Sequence, residues 1–341
     1  MSNKPKSIYD AAKLGLFPDV RKQIEAGIEV SREHLFDCAV QDFRTIKRSA
    51  GHNEILKFIY DLGLTPSSRI GWMNQPVLCA CAMYGNVELV EYILSKDNPD
   101  DAMSNAAIGN VDYFREPGNV QDIGKTFDKN GFTPLHYCAA SSIGNSSAKK
   151  KAALTEIARI LIDTGVNPHL KVRNKLELYP LFLCSWFGGN VEILKMLVQT
   201  GISQKDAGSA CIEFALEPHQ RSGEPYYHIA KALLQEGWDI NFKDDPNDRT
   251  LLHGAANRGS LKLTKWLLEH GADVAALDGK GKTPLHVAAE RNTSTSVIAL
   301  LLEHGSEINK KDGLGRTPVF FAKQNNRAQV VRYLEENGAR E

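Results

Sequence analysis

The chain has 341 residues, 42% of them apolar and 24% charged, with 41 Lys plus Arg balanced by 41 Asp plus Glu. That composition excludes an intrinsically disordered chain, and zero net charge argues against a protein that blankets nucleic acid or an anionic membrane, both of which need a basic excess. No run approaches the roughly 20 apolar residues of a membrane helix, the polar start Met1-Ser2-Asn3-Lys4 lacks a signal-peptide core, and six Cys are too few for a disulfide scaffold, so a soluble cytoplasmic protein is expected.

Paired helical segments follow one another along the chain. Ile8-Tyr9-Asp10-Ala11-Ala12 with Ile24 to Gly27 is the first pair. Leu35-Phe36-Asp37-Cys38-Ala39 with Ile55 to Gly63 is the second. Gln75-Pro76-Val77-Leu78 with Gly85-Asn86-Val87-Glu88-Leu89-Val90 is the third. The fourth opens on Gly131-Phe132-Thr133-Pro134-Leu135-His136-Tyr137-Cys138-Ala139-Ala140 and runs to Gly165. The fifth opens on Tyr179-Pro180-Leu181-Phe182 and closes between Gly189 and Gly201, and the sixth spans Ala210 to Gly237. The last three open at Thr250, Thr283 and Thr317, spaced 33 and 34 residues apart. A second motif, Trp266-Leu267-Leu268-Glu269-His270-Gly271, recurs as Leu300-Leu301-Leu302-Glu303-His304-Gly305. Thr before Pro suits a helix start, since Thr can cap it and Pro lacks an N–H that would go unpaired in the first turn. The Ala-Ala stripe lets neighbouring helices approach closely, and Gly271, Gly305 and Gly338 sit where a helix ends in a left-handed residue.

These linked motifs resemble the ankyrin repeat, with its period of about 33 residues and its Thr-Pro-Leu-His-x-Ala signature. The resemblance implies an all-α solenoid of about nine stacked helix-turn-helix units with hairpin tips, from about Ile8 to Glu341. It implies a protein-protein interaction module: an adaptor, inhibitor or effector that binds a partner protein through its concave face and hairpin tips. No catalysis, cofactor or metal is expected, and the chain should be a monomer. Carried onto these residues, the exposed ends of first helices fall at Met83-Tyr84, Trp186-Phe187, Asn257-Arg258 and Glu290-Arg291. The tips fall at Phe132, Phe242, Lys280, Lys282 and Leu314. Aromatic residues and Arg are common interface anchors, so Met83, Tyr84, Phe132, Tyr137, Trp186, Phe187, Arg258 and Arg291 are the candidate binding residues. Repeats three to five, which hold most of these aromatics, are the expected binding face, and repeats seven to nine are assigned mainly to stability. The competing reading is that the aromatics are buried between repeats. Asn241 and Asn309 hold the hairpin position at which proteins of this kind can be hydroxylated.

Several segments depart from the pattern. Repeats two, four and six are stretched at 41–52, 141–153 and 217–226, and the third and fifth carry one extra residue between Pro and Gly. The longest departure, 98–128, reads as an insert or a degenerate repeat. An enzymatic alternative would use its Asp100, Asp101, Asp112, Glu116 and Asp122, without a His or Cys. A nucleic-acid alternative would use Lys149, Lys150 and Lys151 in the stretched loop of repeat four, a run that otherwise reads as a solvated edge. Cys79 and Cys81 are one residue apart, not the two to four of a zinc knuckle. Cys38, Cys138 and Cys184 fall on or near the Ala stripe, so the Cys are expected in the core. The resemblance implies that His136, His253 and His286 hydrogen-bond within and between repeats. His270 and His304 precede helix-ending glycines, and His34, His52, His169, His219 and His228 are unexplained by the motif. No phosphate loop, dinucleotide fingerprint or nucleophile elbow occurs.

Overall fold

The computed structural model describes residues 7–41, 50–71, 73–172, 178–204, 224–243 and 247–341. They fall into two units, Met1–Thr200 and Gly201–Glu341. The sixth repeat's first half, with most of its 217–226 insertion, and the 42–49 part of the insertion in repeat two lie outside the described residues.

The first unit is two rows of helices. The inner row comprises α1 (Ile8–Lys13), α3 (Arg32–Gln41), α5 (Val77–Met83), α7 (Ala102–Ile108), α10 (Pro134–Ala140) and α12 (Pro180–Leu183). The outer row comprises α2 (Phe17–Glu25), α4 (Ala50–Asp61), α6 (Val87–Leu94), α8 (Val111–Arg115), α11 (Ala148–Asp163) and α13 (Val191–Gln199), with the short α9 (Pro117–Val120) after α8. Contacts run along each row: α5 on α7, α7 on α10, α10 on α12, and outside them α2 on α4, α4 on α6, α8 on α11 and α11 on α13. Side chains cap the helices that turn back: Asn86, Asp101, Ser147 and Asn190 each accept a backbone N–H from the first turn of α6, α7, α11 and α13. Inner helices are short and buried on nearly every side, and Ala106, Ala107, Ala139 and Ala140 have no exposed surface. A larger residue there would push the rows apart.

Residues 98–128 contribute a helix pair to both rows. α7 is sandwiched between α5 and α10. This pair has no hairpin of its own. The hairpin before α5 is β1 (Arg69–Ile70) antiparallel to β2 (Gln75–Pro76), with Arg69 opposite Pro76. It meets the turn at 128–132 directly: Asn130 Nδ2 donates to the carbonyls of Met73 and Asn74 at 2.9 and 3.2 Å, and Arg69 reaches Asp128 at 2.9 Å. Two tips therefore close across one shortened helix pair.

The expected inter-helix insertion at 141–153 is shorter. α11 begins at Ala148, so the connection is residues 141–147, with a 3-10 turn at Ile143–Ser146. Lys149, Lys150 and Lys151 are the start of a helix and not a loop edge; Ser147 caps it, and Lys150 pairs with Glu91 at 3.3 Å. The extra residue of repeats three and five is absorbed in two ways. In repeat three Pro76 stands outside the helix as its N-cap, and α5 starts one residue later. In repeat five α12 widens into a π-helical turn, Cys184–Gly188, closed by Gly189 in the left-handed conformation.

The second unit repeats the plan with α14 (Glu224–Gln235), α15 (Leu251–Arg258), α16 (Leu261–Glu269), α17 (Pro284–Arg291), α18 (Ser296–Glu303), α19 (Pro318–Gln324) and α20 (Ala328–Glu336). α15, α17 and α19 stack as the inner row, and α14, α16 and α18 as the outer. Leu252, Leu267, Leu285, Ile298, Leu301, Val330 and Leu334 form its core with no exposed surface.

Candidate interaction face

Each well-formed repeat ties itself to the next through one histidine. The Thr133 N–H donates to His136 Nδ1 at 3.1 Å, and Nε2 of the same ring meets the Leu170 carbonyl at 3.1 Å. Thr250, His253 and the Lys282 carbonyl repeat this at 3.2 and 3.0 Å. Thr283, His286 and the Arg316 carbonyl repeat it at 3.1 and 3.1 Å. Since Nδ1 accepts, Nε2 carries the proton and donates. The rings are neutral because burial disfavours the charged form: His136 is lowered to about 4, and His253 and His286 are lowered by the same cause.

A second recurring device shapes the tips. Asp128 Oδ1 accepts the N–H groups of Asn130 and Phe132 at 2.8 and 2.9 Å. Asp278 does the same for Lys280 and Lys282 at 2.8 and 2.8 Å, and Asp312 for Leu314 and Arg316 at 3.0 and 2.9 Å. Each Asp stands five residues before its Thr, a signal present in the sequence that motif reading passed over. Adjacent tips are then joined by backbone: Gly279 N–H to the Asn247 carbonyl at 2.8 Å and Gly313 N–H to the Lys280 carbonyl at 3.0 Å. Asn241 and Asn309, the candidate hydroxylation positions, bridge neighbouring repeats. Asn241 donates to the Gly271 carbonyl at 3.2 Å and accepts the Asp273 N–H at 2.8 Å. Asn309 donates to the Gly338 carbonyl at 3.1 Å and accepts the Arg340 N–H at 2.7 Å.

The expectation of exposed anchors at Met83, Tyr84, Phe132 and Tyr137 is corrected: they are 1, 6, 1 and 1% exposed. Ser142, in the 141–147 connection, covers the end of α5. Its N–H donates to the Ala82 carbonyl at 3.0 Å and its hydroxyl to the Met83 carbonyl at 2.7 Å, while Ser141 donates to the Ala107 carbonyl at 2.6 Å. Phe187 is half-buried, with its ring edge-on to Tyr84 at 6.0 Å. The Trp186 side chain lies outside the described residues. Phe132 lies against His136 and Tyr137, whose hydroxyl donates to Asp128 at 2.8 Å. Met83, Tyr84, Phe132 and Tyr137 are buried, as in the competing reading, with Tyr84 touching another repeat while Phe132 and Tyr137 pack within the fourth. In the second unit Arg258 is half-buried and Arg291 exposed, and at the tips Lys280 is exposed and Leu314 is 76% exposed.

Three of the five acidic residues singled out in 98–128 serve the local fold. Asp101 caps α7 through the Ser104 N–H at 2.8 Å, Asp112 pairs with Arg115 at 3.0 Å, and Asp122 with Lys125 at 2.9 Å. Cys38, Cys79, Cys81, Cys138 and Cys184 are buried thiols, and burial pushes those of Cys79 and Cys138 up. Cys211 lies outside the described residues. Among the described residues, no three His, Cys, Asp or Glu side chains are grouped as a metal site.

Three ankyrin family models match the chain. Ankyrin repeats (3 copies) match residues 219–312, ankyrin repeats (many copies) match 78–148 and 291–335, and the single ankyrin repeat matches 130–173. Together they cover 78–173 and 219–335, more than half of the chain. No curated protein matches it.

Proposed function

The chain belongs to the ankyrin-repeat family, an all-α solenoid whose members are generally protein-protein interaction modules, and from that premise we propose that it works as a monomeric adaptor, inhibitor or effector in a cytosol. It binds a partner protein without catalysis. The face it uses is the inner row and tips of the second unit, not repeats three to five. One contrast carries this choice: around α5 the chain covers its own anchors with Ser142 and Phe187, whereas the second unit leaves Lys280, Arg291 and Leu314 exposed. No described helix is long and apolar enough to cross a membrane. Lys149 to Lys151 give the nucleic-acid reading little support, since Lys150 is already paired with Glu91.

Two variants test the choice of face. Leu314→Asp should abolish capture of the partner from a host lysate and leave the melting temperature unchanged. Phe187→Ala should lower the melting temperature by several degrees, roughly, through loss of its half-buried ring against Tyr84, and leave capture intact. The reverse pattern would return the binding site to the fifth repeat. Asn241 and Asn309 remain candidates for asparaginyl hydroxylation, checked by a gain of about 16 Da in intact mass after exposure to such an enzyme. Their bridging bonds mean that each hairpin must open to be modified.

A further inference from the structure

The charges of the last two repeats are sorted by face. Residues 274–291 and 311–327, which form two tips and the inner helices α17 and α19, carry seven Lys or Arg and three Asp or Glu. Residues 292–310 and 328–341, which form the outer helices and their returns, carry three Lys or Arg and five Asp or Glu. The neutral total therefore conceals a basic inner side and an acidic outer side.

The three acids of the inner side are already engaged. Asp278 and Asp312 are buried with their carboxylates turned into the tip backbones. Asp312 also takes both Nε and Nη2 of Arg316, at 3.0 and 2.7 Å. Glu290 pairs with Lys282 at 2.7 Å, and Arg291 lies 4.0 Å from it. Lys282 and Arg316 are held over the Phe321 ring at 4.0 and 4.7 Å, so these cations are fixed in place before any ligand arrives. Lys280 and Arg291 stand exposed beside them. The Gly313–Lys280 backbone bond sets the ninth tip against the eighth, which places the apolar Leu314 next to this basic group.

We propose that the inner side of the last two repeats, built on the exposed Lys280 and Arg291 with Leu314 at its rim, docks an acidic peptide segment carrying an apolar side chain. This rests on the protein-binding reading above and adds the chemistry of the partner. Exposed cations repel basic partners and accelerate the approach of acidic ones, while an exposed Leu at the edge supplies an apolar contact that a pure charge patch lacks.

A selection from a random peptide library on the immobilised full chain tests it. Selected peptides should be enriched in Asp and Glu together with Leu, Ile or Phe. Synthetic copies should bind at least tenfold more weakly to the Lys280→Glu/Arg291→Glu chain, to Leu314→Ser, and to the native chain in 0.5 M salt, roughly as screening of exposed charges requires. Circular dichroism melts should show both variants folded, because the three residues are exposed. Peptides without acidic enrichment, or peptides whose affinity survives the charge reversal, would overturn the proposal and leave protein binding elsewhere on the chain intact. No selected peptide at all would overturn the acidic-peptide proposal, while the protein-binding reading stands or falls on the capture experiment. A poly-thymidine oligonucleotide that displaces the peptides at equal or lower concentration would assign the basic group to nucleic acid and overturn the acidic-peptide reading.

Discussion

At the scale of single residues, the Thr–His pairs make the fold sensitive to acid. Each His is held neutral, so the folded state binds its proton less readily than the unfolded chain. Well above pH 6.5 neither state is protonated and the full stabilisation is present. As pH falls from 6.5 toward 4, the unfolded chain takes up protons that the fold refuses, and stability is lost. For His136, lowered from 6.5 to about 4, the loss at pH 4 is at most about 3 kcal/mol. Urea unfolding at pH 7.5 and at pH 4.5 should show the midpoint falling, and His136→Gln should flatten part of that fall; equal slopes for the two proteins would remove His136 from the account. The spacing of Thr133 and His136 is readable in the sequence, and so was a structural role for the ring. Its partner, the Leu170 carbonyl, was not, because it belongs to the next tip and is defined only once the repeats are stacked.

At the scale of elements, the tips approach so closely that glycine becomes a packing requirement. Gly281 has φ of +72°, and a Cβ there would stand 2.7 Å from the Gly313 nitrogen. Gly305 is also left-handed, at φ +92°, but has nothing within 4 Å of that point. Gly305→Ala should therefore cost about 1 kcal/mol for the backbone conformation alone. Gly281→Ala adds an overlap with backbone and should cost about 2 kcal/mol or more. Urea midpoints of the two variants check this, and equal losses would mean that the tips separate without resistance. In sequence Gly305 reads as a helix end and Gly281 as part of a tip, but neither position shows how close the next tip comes. The extra residue of repeats three and five was equally visible, yet the chain solves it by a delayed helix start in one and a π turn in the other. That choice depends on what each helix meets: a β-hairpin precedes α5, while the π turn stacks on α10.

At the scale of the molecule, the core of the second unit is made of buried residues that all fall between Ala230 and Leu334. In a repeat array stability is a sum over repeats and their nearest-neighbour interfaces. Residues 201–341 expressed alone should thus show a helical spectrum and a cooperative melt. A fragment without such a melt would mean that this core is insufficient by itself. The expected exposure of Met83, Tyr84, Phe132 and Tyr137 needed the largest revision at this scale. Exposed positions were assigned from a regular repeat, and in repeats three to five the irregular parts of the chain fold back over those positions. The charge sorting of the last two repeats was present in the sequence as a composition difference, hidden by a net charge of zero.

Local chemistry was enough to determine the repeat, its helix pairs, the caps and the buried small-residue stripe, because each of these depends on residues within one turn or one period of each other. The tertiary structure alone decided which aromatics are covered, how the 69–76 and 128–132 tips close across a shortened pair, and where cations gather. Those outcomes depend on contacts between segments that the chain brings together only when neighbouring repeats stack: Ser142 on Met83 across 59 residues, Arg69 on Asp128 across 59 as well.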